Sequence, residues 1–339
     1  METTHVVDAG DARDLPLPDD AVDLLVTSPP YPMVELWDDV FAATASGVEA
    51  ALEEGDGEAA FAAMHDALDE AWAEVARVLA PGGVACVVVG DAARTLDRFR
   101  LYRNRDRVGA AFESLGFDPL PDVVWRKPAN SAAKFMGSGM LPPNAYVTLE
   151  HESILVFRNG TRRSFAPGAD RRYEAAYFWE ERNRWFSDVW TDVRGVTQEA
   201  AAGPRERTAA YPFAVPYRLI NMYSVYGDRV LDPFWGTGTT TLAAMVAGRD
   251  SVGVERHPDL VEGFDDRVAD APRLSREVTA DRLADHAAFV EGRDDHGYES
   301  VHYGMPVRTK QERRLRLYEV SEVRATSEGY VAEHAPVEW

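Results

Sequence analysis

Residues 229–247 read as a strand, a glycine-bearing turn and a helix. Arg229-Val230-Leu231-Asp232 leads into Pro233-Phe234-Trp235-Gly236-Thr237-Gly238-Thr239-Thr240, and an apolar run continues through Ala247. Gly236 and Gly238 let the backbone turn tightly and approach a ligand, and the helix behind them offers free N–H groups. Glu255 ends the next strand, 23 residues after Asp232. A carboxylate in that place accepts hydrogen bonds from both hydroxyls of a ribose. No lysine follows the glycines, which excludes a Walker-type phosphate loop, and the third glycine of the dinucleotide fingerprint is missing. The pattern suits a nucleoside ligand without a polyphosphate, such as S-adenosyl-L-methionine. The bland reading is a tight turn and nothing more.

A second group is Thr27-Ser28-Pro29-Pro30-Tyr31, at the C-terminal end of the apolar run Ala21 to Thr27. Strand ends of that kind are where α/β sheets bind ligands. Two successive prolines stiffen the backbone and remove N–H donors, leaving carbonyl acceptors. The exocyclic amine of a base needs acceptors for its hydrogens and a flat surface for its ring. Ser28 Oγ and the Pro29 carbonyl supply the first, Tyr31 the second. Taken alone, the segment also reads as a rigid loop without chemistry.

Ser-Pro-Pro-Tyr at 28–31 and Asp-Pro-Phe-Trp-Gly-Thr-Gly-Thr-Thr at 232–240 together resemble the amino-methyltransferases of DNA, which make N4-methylcytosine or N6-methyladenine. The tetrapeptide precedes the glycine loop by about 200 residues. That circularly permuted order resembles the β group of the family, and the likeness spans about residues 5–260. It implies a Rossmann-like S-adenosylmethionine-dependent methyltransferase fold, with a mostly parallel sheet and helices on both faces. It further implies catalytic Ser28, Pro29, Pro30 and Tyr31. On the same likeness, Asp11, in Gly10-Asp11-Ala12, is expected to take the adenine amino group and Tyr211, in Tyr211-Pro212-Phe213, to close over the methionine end. Asp232, Phe234, Gly236, Thr237, Gly238, Thr239 and Glu255 are expected to complete the cofactor site. The family often has His-Pro before that aromatic, where this chain has Arg207-Thr208, and Tyr211 aligns better than Phe213.

In this family adenine enzymes mostly carry Asp or Asn before Pro-Pro-Tyr, and cytosine-N4 enzymes mostly Ser, so Ser28 favours cytosine. Methylation of cytosine at C5 needs a thiolate nucleophile. Cys86, the single cysteine, sits inside Val84-Ala85-Cys86-Val87-Val88-Val89 and reads as an inert buried thiol. Double-stranded DNA is the implied partner, with a cognate restriction endonuclease as a candidate companion and the oligomeric state open. The same chemistry on adenine N6 or on RNA, and a catalytically silent DNA-binding protein, are the competing readings.

These residues need a frame. Strands are expected at 5–7, 21–27, 84–90, 122–125, 152–157, 229–232 and 251–255. Helices are expected at about 61–79, stopped by Pro81-Gly82-Gly83, at 107–115 and at 217–226. Alternating strands and helices imply a largely parallel sheet covered on both faces. Between Glu35 and Glu74 there are twelve acidic residues and no Lys or Arg, a helical stretch with an acidic face. The catalytic domain is expected over 1–265, with a target-recognition region at 158–207 where arginines interleave with Tyr, Phe and Trp. Most of those aromatics read better as a small core. The run Arg94 to Arg107 has helical spacing and reads equally as a DNA contact or a solvated face. Residues 266–339 are expected to be a polar accessory extension, with a strand near Arg316 to Val323 and a hairpin partner after Thr326-Ser327-Glu328-Gly329.

The chain has 339 residues, 45% of them hydrophobic, which is enough for a sizeable core and argues against disorder. No apolar run approaches the roughly 18 residues of a membrane span. The N-terminus does not read as a signal peptide, so no membrane association and a cytoplasmic location are expected. No His/Cys/Asp group has ligand spacing, so no metal is expected. Thirty-six Lys+Arg stand against 57 Asp+Glu, for a net charge of −21, and only Lys127, Lys134 and Lys310 are lysines. Such acidic, arginine-over-lysine chains resemble proteins soluble in concentrated salt, where self-repulsion is screened within about 3 Å at 1 M.

Overall fold

The computed structural model describes residues 1–127, 136–193, 211–293 and 297–339. In chain order the strands are β1 (Glu2–Ala9), β2 (Val22–Thr27), β3 (Leu79–Val89), β4 (Ala92–Thr95), β5 (Phe99–Tyr102), β6 (Phe117–Arg126), β7 (Met136–Gly137), β8 (Ala145–Tyr146), β9 (His151–Asn159), β10 (Val189–Trp190), β11 (Arg229–Asp232), β12 (Asp250–Glu255), β13 (Tyr298–Glu299), β14 (Pro306–Val307), β15 (Tyr318–Thr326) and β16 (Gly329–Pro336). The helices are α1 (Asp38–Thr44), α2 (Val48–Glu53), α3 (Gly57–Val78), α4 (Asn104–Ser114), α5 (Asp170–Glu174), α6 (Trp179–Trp185), α7 (Ala214–Tyr223), α8 (Thr239–Ala247), α9 (Pro258–Glu262), α10 (Asp265–Ala269) and α11 (Ala271–Val290).

Ten strands form one sheet, in the order β10-β6-β9-β3-β2-β11-β12-β1-β16-β15. The middle five, β3-β2-β11-β12-β1, are parallel to one another. Antiparallel pairs extend both sides: β9 runs against β3 and β6, and β16 runs against β1 and β15. The sheet is therefore mixed, with a parallel heart. Strands buried on both faces read as continuous apolar runs, which is why β2 and β3 show so plainly in the sequence. Ala85, Val87 and Val89 face a core with Trp72 of α3 and Phe112 of α4. Cys86 and Val88 face the opposite core, with Val215, Leu219 and Ile220 of α7 and Ala243 and Val246 of α8.

Three local expectations change. Helix α3 ends at Val78, but Pro81-Gly82-Gly83 does not separate it from the strand; the three residues form a bulge inside β3. Leu79 pairs with Val22 and the next pair is Val84 with Leu24. Gly82 has φ +82, and a Cβ there would meet backbone and side-chain atoms of the 161–163 segment at 2.8 Å. The run Arg94 to Arg107 is not one helix: β4 and β5 form a hairpin, and α4 begins only at Asn104. Finally, the segment after residue 266 contains the 20-residue helix α11, which is not among the expected elements; the expected hairpin is present as β15–β16 and continues the main sheet through β1. No helix among the described residues is long and apolar enough to cross a membrane.

Candidate active site

The parallel strands β2, β11, β12 and β1 all end at one edge, and the loops leaving them surround a cleft of about 470 Å³. Ser28, Pro29 and Pro30 follow β2; Asp232 to Thr237 follow β11; Glu255 ends β12; Gly10 and Asp11 follow β1. Tyr211 and Thr239 also line it. Two motifs separated by some 200 residues of chain thus meet because their strands are neighbours.

Glu255 is buried and both its oxygens are occupied by backbone donors. The Gly236 N–H donates to Oε2 at 2.8 Å and the His257 N–H to Oε1 at 2.8 Å. Each oxygen keeps a further lone pair for a hydroxyl in the cleft. Asp11 is held by Arg13, which donates from its backbone N–H, Nε and Nη2 at 2.9–3.0 Å. These bonds hold the Asp11 carboxyl below the usual carboxylate range.

Asp232 is buried and, among the described residues, has no cationic partner. Thr27 Oγ1 and Thr240 Oγ1 each donate to it at 2.6 Å, the Phe234 N–H at 3.2 Å and the Tyr211 hydroxyl at 3.4 Å. Burial pushes its carboxyl up to about 6, against the lowering effect of those bonds. The network ties the residue before Ser28, the first turn of α8 and Tyr211 to one carboxylate. It turns the Tyr211 hydroxyl inward while its residue still lines the cleft, whereas Phe213 does not line it and stacks on Tyr217.

Two expected site residues lie off the cleft wall. Gly238 has φ +76 and starts α8, and a Cβ there would strike Phe264 and Trp235 at 2.5–2.6 Å. Its missing side chain makes room for those rings. Tyr31 is 8% exposed and packs against Gly90; its hydroxyl is 2.9 Å from Ser28 Oγ. Burial first, then Glu152 alongside, push the Tyr31 phenol well above its ordinary range. The Cys86 thiol is fully buried in the core covered by α7 and α8, and burial raises its pKa.

Sequence reasoning missed one wall of the cleft. Trp37, Val40, Phe41 and Thr44 around α1, and Leu68 and Ala71 of α3, face it, as do Arg256 and His257 after Glu255. In the aromatic stretch 158–190, Phe178, Trp185 and Trp190 are buried. Arg163 pairs with Asp228 and Arg158 with Asp118. Residues 194–207 of the expected recognition region, and Arg207-Thr208, lie outside the described residues.

A sheet with a parallel heart, whose strand ends bring a glycine loop, a buried carboxylate and Ser-Pro-Pro around one cleft, is the architecture of an S-adenosylmethionine-dependent methyltransferase. The family model described as DNA methylase matches residues 22–266, and the chain belongs to this N4/N6 DNA methylase family. It is 48% identical over 325 residues to the Type II methyltransferase M.MthZI of Methanothermobacter thermautotrophicus, covering 94% of this chain and 91% of that one. Type II methyltransferase M.MjaI of Methanocaldococcus jannaschii is 45% identical over 268 residues, 75% of this chain and 88% of its own. Among solved structures, TTHA0409 of Thermus thermophilus, assigned as a DNA modification methylase and crystallised with S-adenosyl-L-methionine, superposes with a TM-score of 0.59 at 30% identity. That match covers 78% of this chain and 94% of the other.

Proposed function

We propose that this DNA methyltransferase acts at specific sites in duplex DNA and modifies the exocyclic N4 amine of cytosine. The observation that carries the reading is Ser28: its residue lines the cleft beside Pro29, together with the cofactor loop, and the family resemblance implies cytosine for Ser in that place and adenine for Asp or Asn. The buried Cys86 offers no nucleophile for attack at C5.

The cleft fits the cofactor by size and by donor set. Its volume of about 470 Å³ falls in the range of roughly 300–1,000 Å³ usual for such ligands. Glu255 would take the ribose hydroxyls, Asp11 the adenine amino group, and Trp37, Val40, Phe41 and Phe234 would supply apolar walls. S-adenosylmethionine supplies, when bound, a methyl group on a cationic sulfur.

The target base leaves the stack to reach the strand edge. Ser28 Oγ and the Pro29 carbonyl then accept hydrogens from the N4 amine, which draws its lone pair out of conjugation with the ring. As the nitrogen gains positive charge, the two oxygens stabilise it. Tyr31 holds the Ser28 hydroxyl in place and backs the site with an aromatic ring. Asp232, through Thr27 and Thr240, keeps the tetrapeptide and the cofactor loop in fixed relation, and such alignment supplies much of the rate.

Residues 158–207 are the proposed target-recognition region of a catalytic domain over 1–265, and the Type II relatives make a companion nuclease part of the proposal. Sequencing of modified bases in DNA from a host expressing the protein tests it. N4-methylcytosine at a recurring site is the expected result; N6-methyladenine would move the assignment to adenine.

A further inference from the structure

Two hairpins stand at the catalytic edge of the sheet, and neither lines the cleft. Hairpin β4–β5 follows the C-terminal end of β3. Hairpin β7–β8 lies between β6 and β9, whose ends Arg126 and His151 pair at that same edge. The Phe99 and Tyr146 rings stack with centroids 4.5 Å apart and planes 10° from parallel, so the two hairpins form one arm. Its root is bound next to the tetrapeptide. Buried Asn104, just after β5, donates through Nδ2 to the Pro32 carbonyl at 3.0 Å and the Gly90 carbonyl at 2.9 Å. Lys127, at the end of β6, pairs with Glu152 beside Tyr31.

The tip has the opposite character. Met140 is 83% and Leu141 71% exposed, and Pro142 and Pro143 follow in the open. No charged residue occurs from 136 to 149. The Ser138 hydroxyl bonds the Leu141 carbonyl, which shapes the turn. Alongside, residues 94–107 hold six arginines against two aspartates, in a chain of net charge −21. Arg98 and Arg103 are exposed, and their ion pairs with Glu58 and Asp106 are surface pairs of little strength. They can be exchanged for phosphates.

A contiguous apolar tip in water marks an interaction site. Met, Leu and Pro are among the side chains that wedge between base steps and unstack them, while neighbouring arginines neutralise phosphates. We infer that the β7–β8 tip, with Met140 and Leu141 at its point and Arg98 and Arg103 behind it on the rest of the arm, enters duplex DNA and fills the gap left by the extruded target base. The inference rests on the proposed extrusion of that base.

The test uses the full chain and a short duplex carrying the site found by modified-base sequencing, with the target base either paired or set opposite an abasic position. Methylation rates are compared for wild type and M140S/L141S at saturating S-adenosylmethionine. The paired-duplex rate should fall about tenfold or more. The abasic-duplex rate should stay within about twofold, because that substrate needs no unpairing. Val301→Ser, at an exposed apolar position of the C-terminal segment, serves as the control and should change neither rate. Arg98→Ala and Arg103→Ala should each lower the slope of log affinity against log salt by about one. A paired-to-abasic ratio equal to that of wild type overturns the wedge, whether both rates fall together or neither does. In the second case the tip belongs to another occupant, such as a second copy of this chain. Failure of the wild type on both duplexes would instead bring down the proposed reaction, and the wedge with it.

Discussion

The hydroxyls of Ser28 and Tyr31 lie 2.9 Å apart, so the first and last residues of the tetrapeptide are bonded to one another across two prolines. Pro29 and Pro30 fix the backbone between them, and the Tyr31 ring is pinned against Gly90. The Ser28 hydroxyl is therefore aimed before any substrate arrives. Burial and Glu152 keep the Tyr31 phenol protonated at neutral pH. When the phenol donates to Ser28, one lone pair of Ser28 Oγ stays available for an incoming amine.

Ser28→Ala should slow methyl transfer by about 2–4 kcal/mol in the transition state while leaving cofactor affinity nearly unchanged, since the lost acceptor faces the amine and not the nucleoside. Single-turnover rates and titration calorimetry separate the two quantities. Tyr31→Phe should show a smaller loss of the same kind. A parallel fall in cofactor affinity for Ser28→Ala would contradict the role assigned to it.

Glu255→Ala should weaken S-adenosylmethionine by about 1–3 kcal/mol, because the ribose hydroxyls lose their acceptor and the Gly236 and His257 N–H groups lose theirs. Asp11→Ala should show a similar change, together with release of Arg13. Calorimetry reads both, and full affinity in Glu255→Ala would mean that the carboxylate serves only to brace its loop.

The parallel heart of the fold was legible because its strands are buried on both faces: β2 carries Leu24-Leu25-Val26 and β3 Val84 to Val89, while β11 and β12 show shorter Val-Leu and Val-Gly-Val centres. Helix α11 was not, because its buried stripe is Ala271, Ser275, Thr279, Arg282, Leu283 and His286. The spacing is helical but the residue types are small or polar. Arg282 is admitted to the interior by its pair with Glu181 at 2.5 Å, a partner 101 residues away that no local pattern reveals. In the site, glycines and prolines announced themselves because backbone geometry demands them. Trp37, Val40 and Phe41 did not: an apolar residue facing a cleft has the same pattern as one facing the core. At Gly238 the sequence pattern shows the turn but not that the missing side chain also makes room for Trp235 and Phe264.

The carboxyl of Asp232, pushed up to about 6 by burial, sits above its unfolded value of about 3.9. Between those values the folded state binds more protons than the unfolded one, so this group's contribution to stability falls as pH rises and levels off above the folded value. Relative to Asp232→Asn, which does not titrate, the wild type should lose about 1–1.5 kcal/mol of stability between about pH 5 and about pH 7.5. Urea unfolding of both proteins across that interval measures it. A constant difference would show that Asp232 titrates as an ordinary carboxyl.

Salt should act on this protein in two opposing ways. DNA repels a chain of net charge −21 at long range, and salt screens that repulsion; salt also weakens phosphate contacts through counterion release. The acidic stretch from Glu35 to Glu74 is partly neutralised from outside: Arg94 pairs with Asp38, Arg100 with Glu58, Arg107 with Asp66 and Asp69, Arg13 with Glu70 and Arg77 with Glu74. All but the last, which lies within α3, join α1 and α3 to the loop after β1, to the β4–β5 hairpin and to α4, so they brace the cleft wall as well as offsetting charge. Arginine, with its planar fork, suits such bridging better than lysine. Glu49, Glu53 and Glu54 around α2 are exposed and, among the described residues, make no ion pair, so dissolved ions relieve their repulsion. We therefore expect methylation to persist at about 1 M KCl, carried by base contacts and close arginines more than by long-range attraction, and the α1–α2 region to loosen in dilute buffer. Activity and near-ultraviolet circular dichroism across a KCl series test both halves. An activity optimum near 0.1 M, about where the screening length is still 10 Å, with full structure there, would refute the salt-adapted reading.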